Sequence, residues 1–540
     1  MNEIALTLVL LSPFIAIAVL LATSMRWSLA LAAVPAFAAA LLTPVGSTLE
    51  LSWLLLGVHF ALDATGQLFL LFSSLVWLVA GVYAAATPPD PGRRRGFDLF
   101  FLLALAGNLI LVLAADMVTF YVGFALMGLS AYGMVIGRRS QRARRAGRIY
   151  LAFTLAGELA LFSGLLALAA AVDSLLFADL TGIAMPPVAV GLLLLGFGIK
   201  LALPGLHLWL VPTYTGAPIV AVAVLSGPMM NAGLLGWLRF LPSDASGLAD
   251  WGSVLMLLGT AGLVLGVWLG VMQREPRAVL AYSSIAKMGL ISALFGTALA
   301  NPVHTAPIIA ALVLFAMHHL LVKSALFLGV GEWEKRGRVS WVMVVLGLLA
   351  LTMIGAPFTG GAFAKQGLGE AVADGLDGPA ALLTLAAIGT ALLMARFMWL
   401  LTRPAARPSP ICRVPVVAWL ALLPVALWAP SMPGAIAFDV AGLVPLGAIL
   451  AALAVMAWMD ARWPGLWPHG RSSDELNAIG LALRHAKRHL PALEFQSARL
   501  RVALAWPASA PAPSQGTLVI PGLLWLALFL GLLMAAVLSH

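Results

Sequence analysis

Several ionisable side chains of this sequence lie within apolar stretches, where burying a charge is costly and therefore points to a function. Residues 191–218 read GLLLLGFGIKLALPGLHLWLVPTYTGAP, with Lys200 inside the apolar run and Pro204 four residues later. A charged lysine in mid-membrane costs roughly 3 kcal/mol or more, and a proline inside a helix removes a backbone donor and breaks or kinks the helix. Because transporters build midplane ion sites from broken helices, this stretch predicts an ion-transport site at Lys200.

The same pairing of a helix breaker with a lysine recurs later in the chain. Residues 348–367 read LLALTMIGAPFTGGAFAKQG, where Pro357 and two glycines precede Lys365. Between the two broken stretches, the apolar run 311–331 carries His318, His319 and Lys323. His319 and Lys323 are spaced i, i+4 and therefore share one helix face. We expect Lys365, His319 and Lys323 to act with Lys200, and His318 to be a secondary candidate for the relay.

Four other ionisable groups fall within predicted spans. Glu158 is the one acidic residue well inside a span, and we expect it either to take part in proton transfer or to form a structural ion pair. Lys287 and Arg396 are secondary candidates, because each also lies close enough to a helix end to extend its head group to the interface. His207, next to Trp209, is a further candidate for which an interfacial position is the simpler interpretation.

The residue types favour protons as the transported species. Lysines and one glutamate separated by apolar helices form no oxygen cage for a metal cation, whereas a buried lysine can hold or release a proton according to its neighbours. The single cysteine, Cys412, excludes an internal disulfide and a cysteine-based cluster. Neither a Gly-rich phosphate loop nor a nucleophile triad is found. We therefore expect no metal, no cofactor and no catalysis by this chain alone.

Composition identifies the class of protein that must position these groups. Of 540 residues, 62% are hydrophobic and only 10% are charged, which is typical of a polytopic membrane protein and not of a soluble domain. We predict an all-α fold with about 16 transmembrane helices, two of them broken. The spans are predicted near residues 3–23, 28–43, 64–86, 97–115, 117–136, 149–172, 187–210, 217–240, 252–272, 279–299, 306–331, 341–366, 378–401, 414–430, 435–458 and 517–538.

The net charge of +9 comes from basic residues whose distribution predicts the orientation of the chain in the membrane. On this topology, 25 of the 31 lysines and arginines lie in segments on one side of the membrane, including the six arginines of residues 138–148. The positive-inside rule makes that side cytoplasmic and puts both termini on the other side. We therefore predict a multi-pass protein of a bacterial-type inner membrane, in contact with the lipid bilayer, and exclude nucleic-acid binding.

Two five-helix blocks organise the chain. Lys200 lies in the fourth predicted helix of residues 97–240 and Lys365 in the fourth of residues 252–401, and because five is odd the two repeats are inverted. Residues 47–60 are predicted to form a short hairpin on the outer face. The predicted segments are 1–96, the N-terminal helices; 97–240 and 252–401, the repeats; 402–459, C-terminal helices; 460–516, a cytoplasmic amphipathic segment; and 517–540, the last transmembrane helix.

Several of these stretches occur in family order between residues 60 and 400. They are GFGIKLALPGLHLWL, TGAP, QREPRAVLAYSSIAKMG, HHLLVKSALFLGVG and GAPFTGGAFAK. The sequence resembles the antiporter-like subunits of respiratory complex I, membrane-bound hydrogenases and Mrp-type cation/proton antiporters. The resemblance implies that Lys200 and Lys365 are the lysines of the two broken helices, and that His319 and Lys323 are the pair linking them.

Two positions depart from the family pattern. The fifth helix of the family normally carries a glutamate where this chain has Ala125, and the eighth usually carries a histidine or lysine where this chain has Leu225 and Asn231. The input half of the usual relay is therefore altered. We predict that Glu158, one helix further along, replaces the missing glutamate as the charge partner of Lys200.

The resemblance implies a proton-translocating membrane subunit of a multisubunit redox-driven or cation/proton antiport complex, working with other membrane subunits and with protons or Na⁺. Its complex would be of the NADH:quinone oxidoreductase or hydrogenase type, with the driving reaction in partner subunits. Two alternatives stay open from the sequence: a proton-conducting partner of an inorganic-carbon uptake complex, and a structural subunit that has lost conduction.

Overall fold

The computed structural model describes residues 2–54, 56–87, 94–138, 140–172, 174–242, 245–337, 339–372, 377–402 and 414–428. Cys412, the predicted spans 435–458 and 517–538 and the predicted amphipathic segment 460–516 lie outside the described residues. Within them are ten helices long and apolar enough to cross a membrane, and four shorter apolar helical segments. A polytopic helical membrane fold is thus confirmed.

The N-terminal part contains four helices and one hairpin. Its elements are α1 Asn2–Thr23, α2 Ser28–Leu31, α3 Val34–Leu42, β1 Ser47–Leu51, β2 Val58–Leu62 and α4 Ala64–Ala86. The strands pair antiparallel, with Ser47 opposite Leu62 and Leu51 opposite Val58, so the predicted hairpin is confirmed. The span predicted at 28–43 corresponds to the short apolar helical segment Ser28–Leu42, in which a turn at residues 32–33 separates α2 from α3.

The first block contains seven helices where five spans, one of them broken, are predicted. They are α5 Arg94–Leu113, α6 Met117–Val135, α7 Gln141–Ala169, α8 Pro187–Lys200, α9 Leu210–Gly216, α10 Ile219–Ser226 and α11 Pro228–Phe240. α7 begins in the arginine-rich segment, so residues 141–148 are helical and not part of a loop. Ser140 caps this helix by accepting a hydrogen bond from the Ala143 amide at 3.0 Å.

The first broken helix ends four residues before Pro204, where a proline is expected to interrupt a helix. α8 stops at Lys200, the residue whose carbonyl would meet the ring of Pro204. The chain then turns through Ala202, whose φ of 56° is unusual for a residue with a side chain, and Gly205 at φ 81°. A 3₁₀ turn, His207–Trp209, leads into α9.

The second block has the other predicted break. Its helices are α12 Ala249–Val271, α13 Pro276–Ala300, α14 Thr305–Arg336, α15 Ser340–Ile354, α16 Gly360–Val372 and α17 Asp377–Leu401, and α18 Val414–Trp428 follows. α15 ends at left-handed Gly355 (φ 78°), with the Ala356 amide donating to the Leu351 carbonyl at 3.0 Å, a Schellman-type stop. Phe358, at φ 64°, continues the turn into α16.

The centre of the described structure is formed by α10, α11 and α13, which are buried along their apolar windows. α12 packs along α13 through glycines that admit no side chain: a Cβ on Gly259 would lie 2.4 Å from the Ala293 amide nitrogen. α8 contacts this centre at α11, whereas α16 packs on α14, which itself contacts α10 and α13. The buried helices and α14 therefore connect the two breaks.

Candidate functional site

Lys200 occupies the last position of α8, beside a small cavity. The residue is only 6% exposed, and a cation at a helix C-terminus is favoured by the helix dipole. The cavity has a volume of about 20 Å³, which is enough for about one water molecule. Its polar lining comes from Lys200, Tyr150, Thr154 and Glu158. The site is thus a buried lysine and a buried carboxylic acid around a space for water.

Tyr150 connects Lys200 to the neighbouring helix. The Lys200 amine donates to the Tyr150 hydroxyl at 3.4 Å, and that hydroxyl donates to the Gly128 carbonyl on α6 at 2.9 Å. The amine also lies 5.7 Å from the ring centres of Phe124 and Tyr150. Aromatic faces at this range stabilise a cation, so Phe124 and Tyr150 partly offset the cost of burying a charged Lys200.

Glu158 lies on the same cavity as Lys200, as the predicted charge pairing requires. It is 6% exposed, and its Oε2 atom accepts no hydrogen bond from the described residues. Its Oε1 atom lies only 3.1 Å from the position of a Cβ atom on Gly128, so the carboxylate reaches α6. Each of the two charges acts electrostatically on the other. Ala125 is one turn from Gly128, which places Glu158 beside the helix that lacks the family's glutamate.

A stack of phenylalanines separates Lys200 from the membrane side on which α6 begins and α11 ends. This phenylalanine stack consists of Phe120, Phe124, Phe177, Phe197 and Phe240. Its inner end is Phe124, next to the Lys200 amine, and its outer end is half-buried Phe177, whose ring centre is 4.9 Å from that of Phe240. Because narrow apolar constrictions exclude water and ions, we expect the stack to insulate the Lys200 cavity from that side.

His207 differs from its predicted position. It is 4% exposed and lies in the 3₁₀ turn that directly follows the break, so the interfacial interpretation is wrong. The neighbouring Trp209 donates its indole N–H to the Ile199 carbonyl at 2.8 Å, which satisfies a carbonyl that the break would otherwise leave open. The polar groups of this turn therefore stabilise the broken backbone beside Lys200.

A second cavity, also of about 20 Å³, lies beside the second break. Lys287, His318 and Lys365 line it together with Gly355 and Gly361. Lys287 is 7% exposed and its amine lies 4.9 Å from the Phe315 ring centre, so its head group does not extend to the interface. The structure thus brings two secondary candidates, Lys287 and His318, to the lysine of the second broken helix.

His319 and Lys323, the predicted linking pair, are both buried in α14 but do not bond each other. Lys323 is fully buried, and its amine donates to the Leu280 carbonyl on α13 at 2.8 Å. His319 is 1% exposed, and neither ring nitrogen has a hydrogen-bond partner among the described residues. Its neighbour His318 instead bonds Thr352 Oγ1 through Nε2 at 3.0 Å. His318 and not His319 therefore reaches the Lys365 cavity.

The structure has a third helix interruption, which our sequence interpretation missed. α10 and α11 meet at Gly227, where the predicted span 217–240 is uninterrupted. A Cβ on Gly227 would lie 2.2 Å from the Ser324 hydroxyl, and that hydroxyl donates to the Ala223 carbonyl at 2.9 Å. The signal was the Gly-Pro pair at 227–228, since a proline frees a carbonyl one turn back. This kink packs directly beside Lys323.

α11 carries Asn231 between the Lys200 side and α14. Gly233 faces Lys200, because its Cβ would lie 3.3 Å from the Lys200 Cβ atom. Gly227 faces α14 and lies on nearly the same helix face as Asn231. The Asn231 amide donates to the Gly227 carbonyl at 2.9 Å, while its oxygen has no hydrogen-bond partner among the described residues. α11 therefore holds, at this buried position, a polar group that cannot titrate.

Arg396 does not reach the interface either. It is fully buried in α17, and its Nε atom donates to the Gln273 carbonyl at 3.0 Å, where α12 gives way to α13. The described residues contain no group of three or more His, Cys, Asp or Glu side chains placed to hold a metal ion. Of the buried basic groups described above, some line the two cavities and others lie on α14 between them. Arg396 instead bonds the end of a helix.

An ion pair joins α4 and α11 at the outer end of the phenylalanine stack. Arg239 donates to both oxygens of Asp63, at 2.6 and 2.8 Å, and Asp63 also accepts the Gly66 amide hydrogen bond that caps α4. Burial by itself would raise the pKa of Asp63, but the hydrogen bonds and charge of Arg239 outweigh it and lower that pKa below its usual value. The pair fixes the helix ends that frame the stack.

Comparison with known proteins finds a family of membrane proteins that matches the middle of the chain. Residues 114–372 match the family model described as "NADH:quinone oxidoreductase/Mrp antiporter, TM". Over this part of its length, the chain is similar to the antiporter-like membrane subunits of that family. The matched residues run from the start of α6 to the end of α16 and so contain both breaks, the whole lining of the Lys200 cavity, and the lining of the second cavity except its α17 residues.

Curated relatives include three kinds of membrane subunit. Hydrogenase-4 component B of Escherichia coli is 27% identical over 364 residues, covering 61% of this chain and 54% of the relative. NADH-quinone oxidoreductase subunit N of Desulforudis audaxviator is 30% identical over 337 residues, covering 57% and 65%. F(420)H(2) dehydrogenase subunit N of Methanosarcina mazei is 28% identical over 279 residues, covering 50% and 55%. The chain spans about half the length of the first curated relatives it matches.

Solved structures share the fold. The Mrp complex from Dietzia sp. DQ12-45-1b contains a chain with a TM-score of 0.70 and 21% identity, covering 95% of this chain and 64% of that chain. Respiratory complex I from Thermus thermophilus with bound NADH contains one with a TM-score of 0.68 and 22% identity, covering 83% and 99%. At this identity the likeness concerns the antiporter-like fold alone.

Proposed function

We propose that this antiporter-like chain is a proton-translocating membrane subunit of a multisubunit complex whose driving reaction takes place in partner subunits. One observation carries the proposal: ionisable side chains that are costly to bury line two cavities, each beside a helix break. Charged residues placed in this way mark proton and ion pathways in membrane proteins.

The path runs between the cavities through α11, α13 and α14. Lys200 contacts α11 at Gly233, α11 contacts α14 at Gly227 and Ser324, and Lys323, next to Ser324, bonds the α13 carbonyl of Leu280. Lys287, two turns further along α13, leads to the second cavity. Protons fit this series better than Na⁺, since the described residues on it are mainly amines and imidazoles and a hard cation prefers oxygen ligands.

Relatives and solved neighbours support the assignment to a larger assembly. Printed names among them include hydrogenase, NADH-quinone oxidoreductase, an Mrp complex and complex I. We propose that this chain likewise works beside other membrane subunits, and that substrate chemistry belongs to those partners. The relatives give no support to the inorganic-carbon alternative.

We propose the orientation that the basic residues predict: bacterial-type inner membrane, with both termini outside the cytoplasm. The arginine-rich start of α7 supports it. A cysteine replacing Ser140, in a Cys412→Ser background, should resist a membrane-impermeant thiol reagent in intact cells and react in lysed cells. Labelling in intact cells would contradict the orientation.

The function is tested by proton flux in vesicles containing the complex purified with its natural partners. Lys200→Ala and Lys365→Ala should each abolish flux while leaving assembly intact. Lys→Arg at either position should also fail, because a guanidinium stays protonated and cannot pass its proton on. Arg142→Ala, in an ion pair whose arginine is half exposed, is the matched control and should keep normal flux.

Wild-type flux in both arginine variants would refute the proposal and leave only packing roles for the lysines. Absence of flux in the assembled wild-type complex would instead favour the structural subunit that has lost conduction. Ala125 and Asn231 are the substitutions that would then explain the loss.

A further inference from the structure

One hydroxyl group joins four helices at the second break. Thr352, fully buried in the last turn of α15, has hydrogen-bond partners on three other helices. His318 Nε2 on α14 lies 3.0 Å from its Oγ1 atom, the Gly361 amide on α16 donates to that atom at 3.3 Å, and the hydroxyl donates to the Ala426 carbonyl on α18 at 3.4 Å. The Thr352 side chain is therefore a direct link between an imidazole and the broken helix.

Thr352 also holds the backbone on both sides of the break. Its carbonyl accepts the Gly355 amide at 3.1 Å. The Gly361 amide, which its hydroxyl accepts, is one of the first N–H groups of α16, and such groups have no partner within their own helix. The contact is close, since a Cβ on Gly361 would overlap the Thr352 carbonyl oxygen. Gly361 and Lys365 share a face of α16 one turn apart, so the position of Gly361 sets the direction of Lys365.

The Thr352 hydroxyl has one proton for two acceptors. A neutral imidazole has a donor at one ring nitrogen and an acceptor at the other. When Nε2 of His318 is the acceptor, the Thr352 hydroxyl donates to it. When Nε2 carries the proton, it donates to the Thr352 oxygen, and the hydroxyl donates to the Ala426 carbonyl instead. The bond from the Gly361 amide fits both arrangements, so the junction has two hydrogen-bonded forms that differ in the tautomer of His318.

We propose that Thr352 is a positioning residue of the second half of the proton path, which sets the tautomer of His318 and ties it to the start of α16. The inference rests on the proposed proton transport and names a residue that orients its second cavity. His318 lines that cavity with Lys287 of α13 and Lys365 of α16, the basic groups that face it. Uptake of a proton at one ring nitrogen and release of another from the second nitrogen exchange the tautomer, and the Thr352 hydroxyl turns with it.

The hydrogen bond is tested by ¹⁵N solid-state NMR of the full-length chain in lipid vesicles with labelled histidine. The His318 signals are those that disappear in His318→Gln. Thr352→Val, which removes the hydroxyl, should shift the Nε2 signal of His318, whereas Thr352→Ser, which keeps the hydroxyl, should retain the wild-type signal. Thr390→Val is the matched control and should leave the signal unchanged, because buried Thr390 donates to the Ala386 carbonyl of its own helix, α17.

The positioning role is tested by proton flux in vesicles that contain the complex purified with its natural partners. Thr352→Val should lower flux by about tenfold, the effect expected from losing one hydrogen bond. Thr352→Ser and Thr390→Val should keep normal flux. If the melting temperature shows that Thr352→Val does not fold, Thr352→Ala removes the same hydroxyl with a smaller side chain.

Three results would overturn the proposal. An unchanged Nε2 signal in a folded variant without the hydroxyl would exclude the contact, and normal flux in that variant would exclude the positioning role. Equal losses in Thr352→Val and Thr352→Ser would show that the shape of the side chain and not its hydroxyl matters. The NMR measurement needs no transport, so it decides the contact even if the assembled wild type conducts no protons, a result that would contradict the proposed function itself.

Discussion

Replacing Glu158 by glutamine tests the charge pairing at the first break. Glu158 and Lys200 are both about nine-tenths buried or more and share one cavity. Among the described residues lining that cavity, Glu158 is the only acid. The glutamine keeps the size and hydrogen-bonding capacity of the side chain but removes its charge, so the variant separates charge from packing.

The magnitude follows from burial. Glu158 and Lys200 interact through their charges across the cavity. Removing one partner of a direct buried ion pair costs about 3–5 kcal/mol, which is the upper limit for this pair. The low exposure of both groups leaves little solvent to screen that loss. Each 1.4 kcal/mol or so of this interaction that proton transfer uses corresponds to a factor of ten, so Glu158→Gln should reduce Lys200-dependent proton flux by about tenfold or more. Vesicles containing the assembled complex and a pH-sensitive dye report the flux.

Two further variants decide what the loss means. Thr154→Val changes the same cavity without changing its charge and should leave flux within about threefold of the wild type, since the spread of such effects is two- to threefold. Ala125→Glu combined with Glu158→Gln should recover part of the flux, because position 125 is one turn from Gly128, where Glu158 reaches α6. Normal flux in Glu158→Gln alone would refute the pairing.

Two other predictions concern the side of the membrane on which α6 begins. Phe120→Ser should open the phenylalanine stack and cause a proton leak that depends on Lys200. The control variant Phe295→Ser changes a buried ring pair with Trp237 outside the stack and should cause no such leak. Equal leaks in both variants would contradict a role of the stack as a barrier to protons. Asp63→Asn should lower the melting temperature at pH 7. Because the pKa of Asp63 is lower in the folded protein than its unfolded value of about 3.9, the stabilisation by Asp63 is present above pH 3.9 or so and is lost as the pH falls through the folded-state pKa. A difference in melting temperature between the variant and the wild type that persists below that pKa would contradict this sign.

Much of the fold was predictable because the membrane restricts the chain to hydrogen-bonded helices of limited length. Apolar runs located α4, α6 and α13 to within a few residues. Proline located both predicted breaks, since Pro204 and Pro357 act on the backbone directly and require no tertiary context. The kink at Gly227 carried the same kind of signal and was missed because the run around it is apolar throughout.

The side-chain environment of the site was harder to predict. Hydropathy places Lys287 near a helix end, yet it is buried, because the packing of α13 against α12, α14 and α17 covers its whole length. Sequence spacing paired His319 with Lys323, but helix faces do not show which neighbour each face meets. That His318 reaches the second cavity depends on the position of α15, whose Thr352 bonds it. Such contacts between distant segments are set by tertiary packing.

The unequal charge of the two cavities sets an order for proton occupancy. A proton on Lys200 is held in a pair with Glu158, whereas protons on Lys287 and Lys365 repel each other within one small cavity. Like charges placed close together favour the loss of one of the protons. Asn231, which cannot titrate, lies on α11 between Lys200 and α14. In the proposed proton transport, we therefore expect the second cavity to release a proton more readily than the first, where the carboxylic acid of Glu158 stabilises a proton on Lys200.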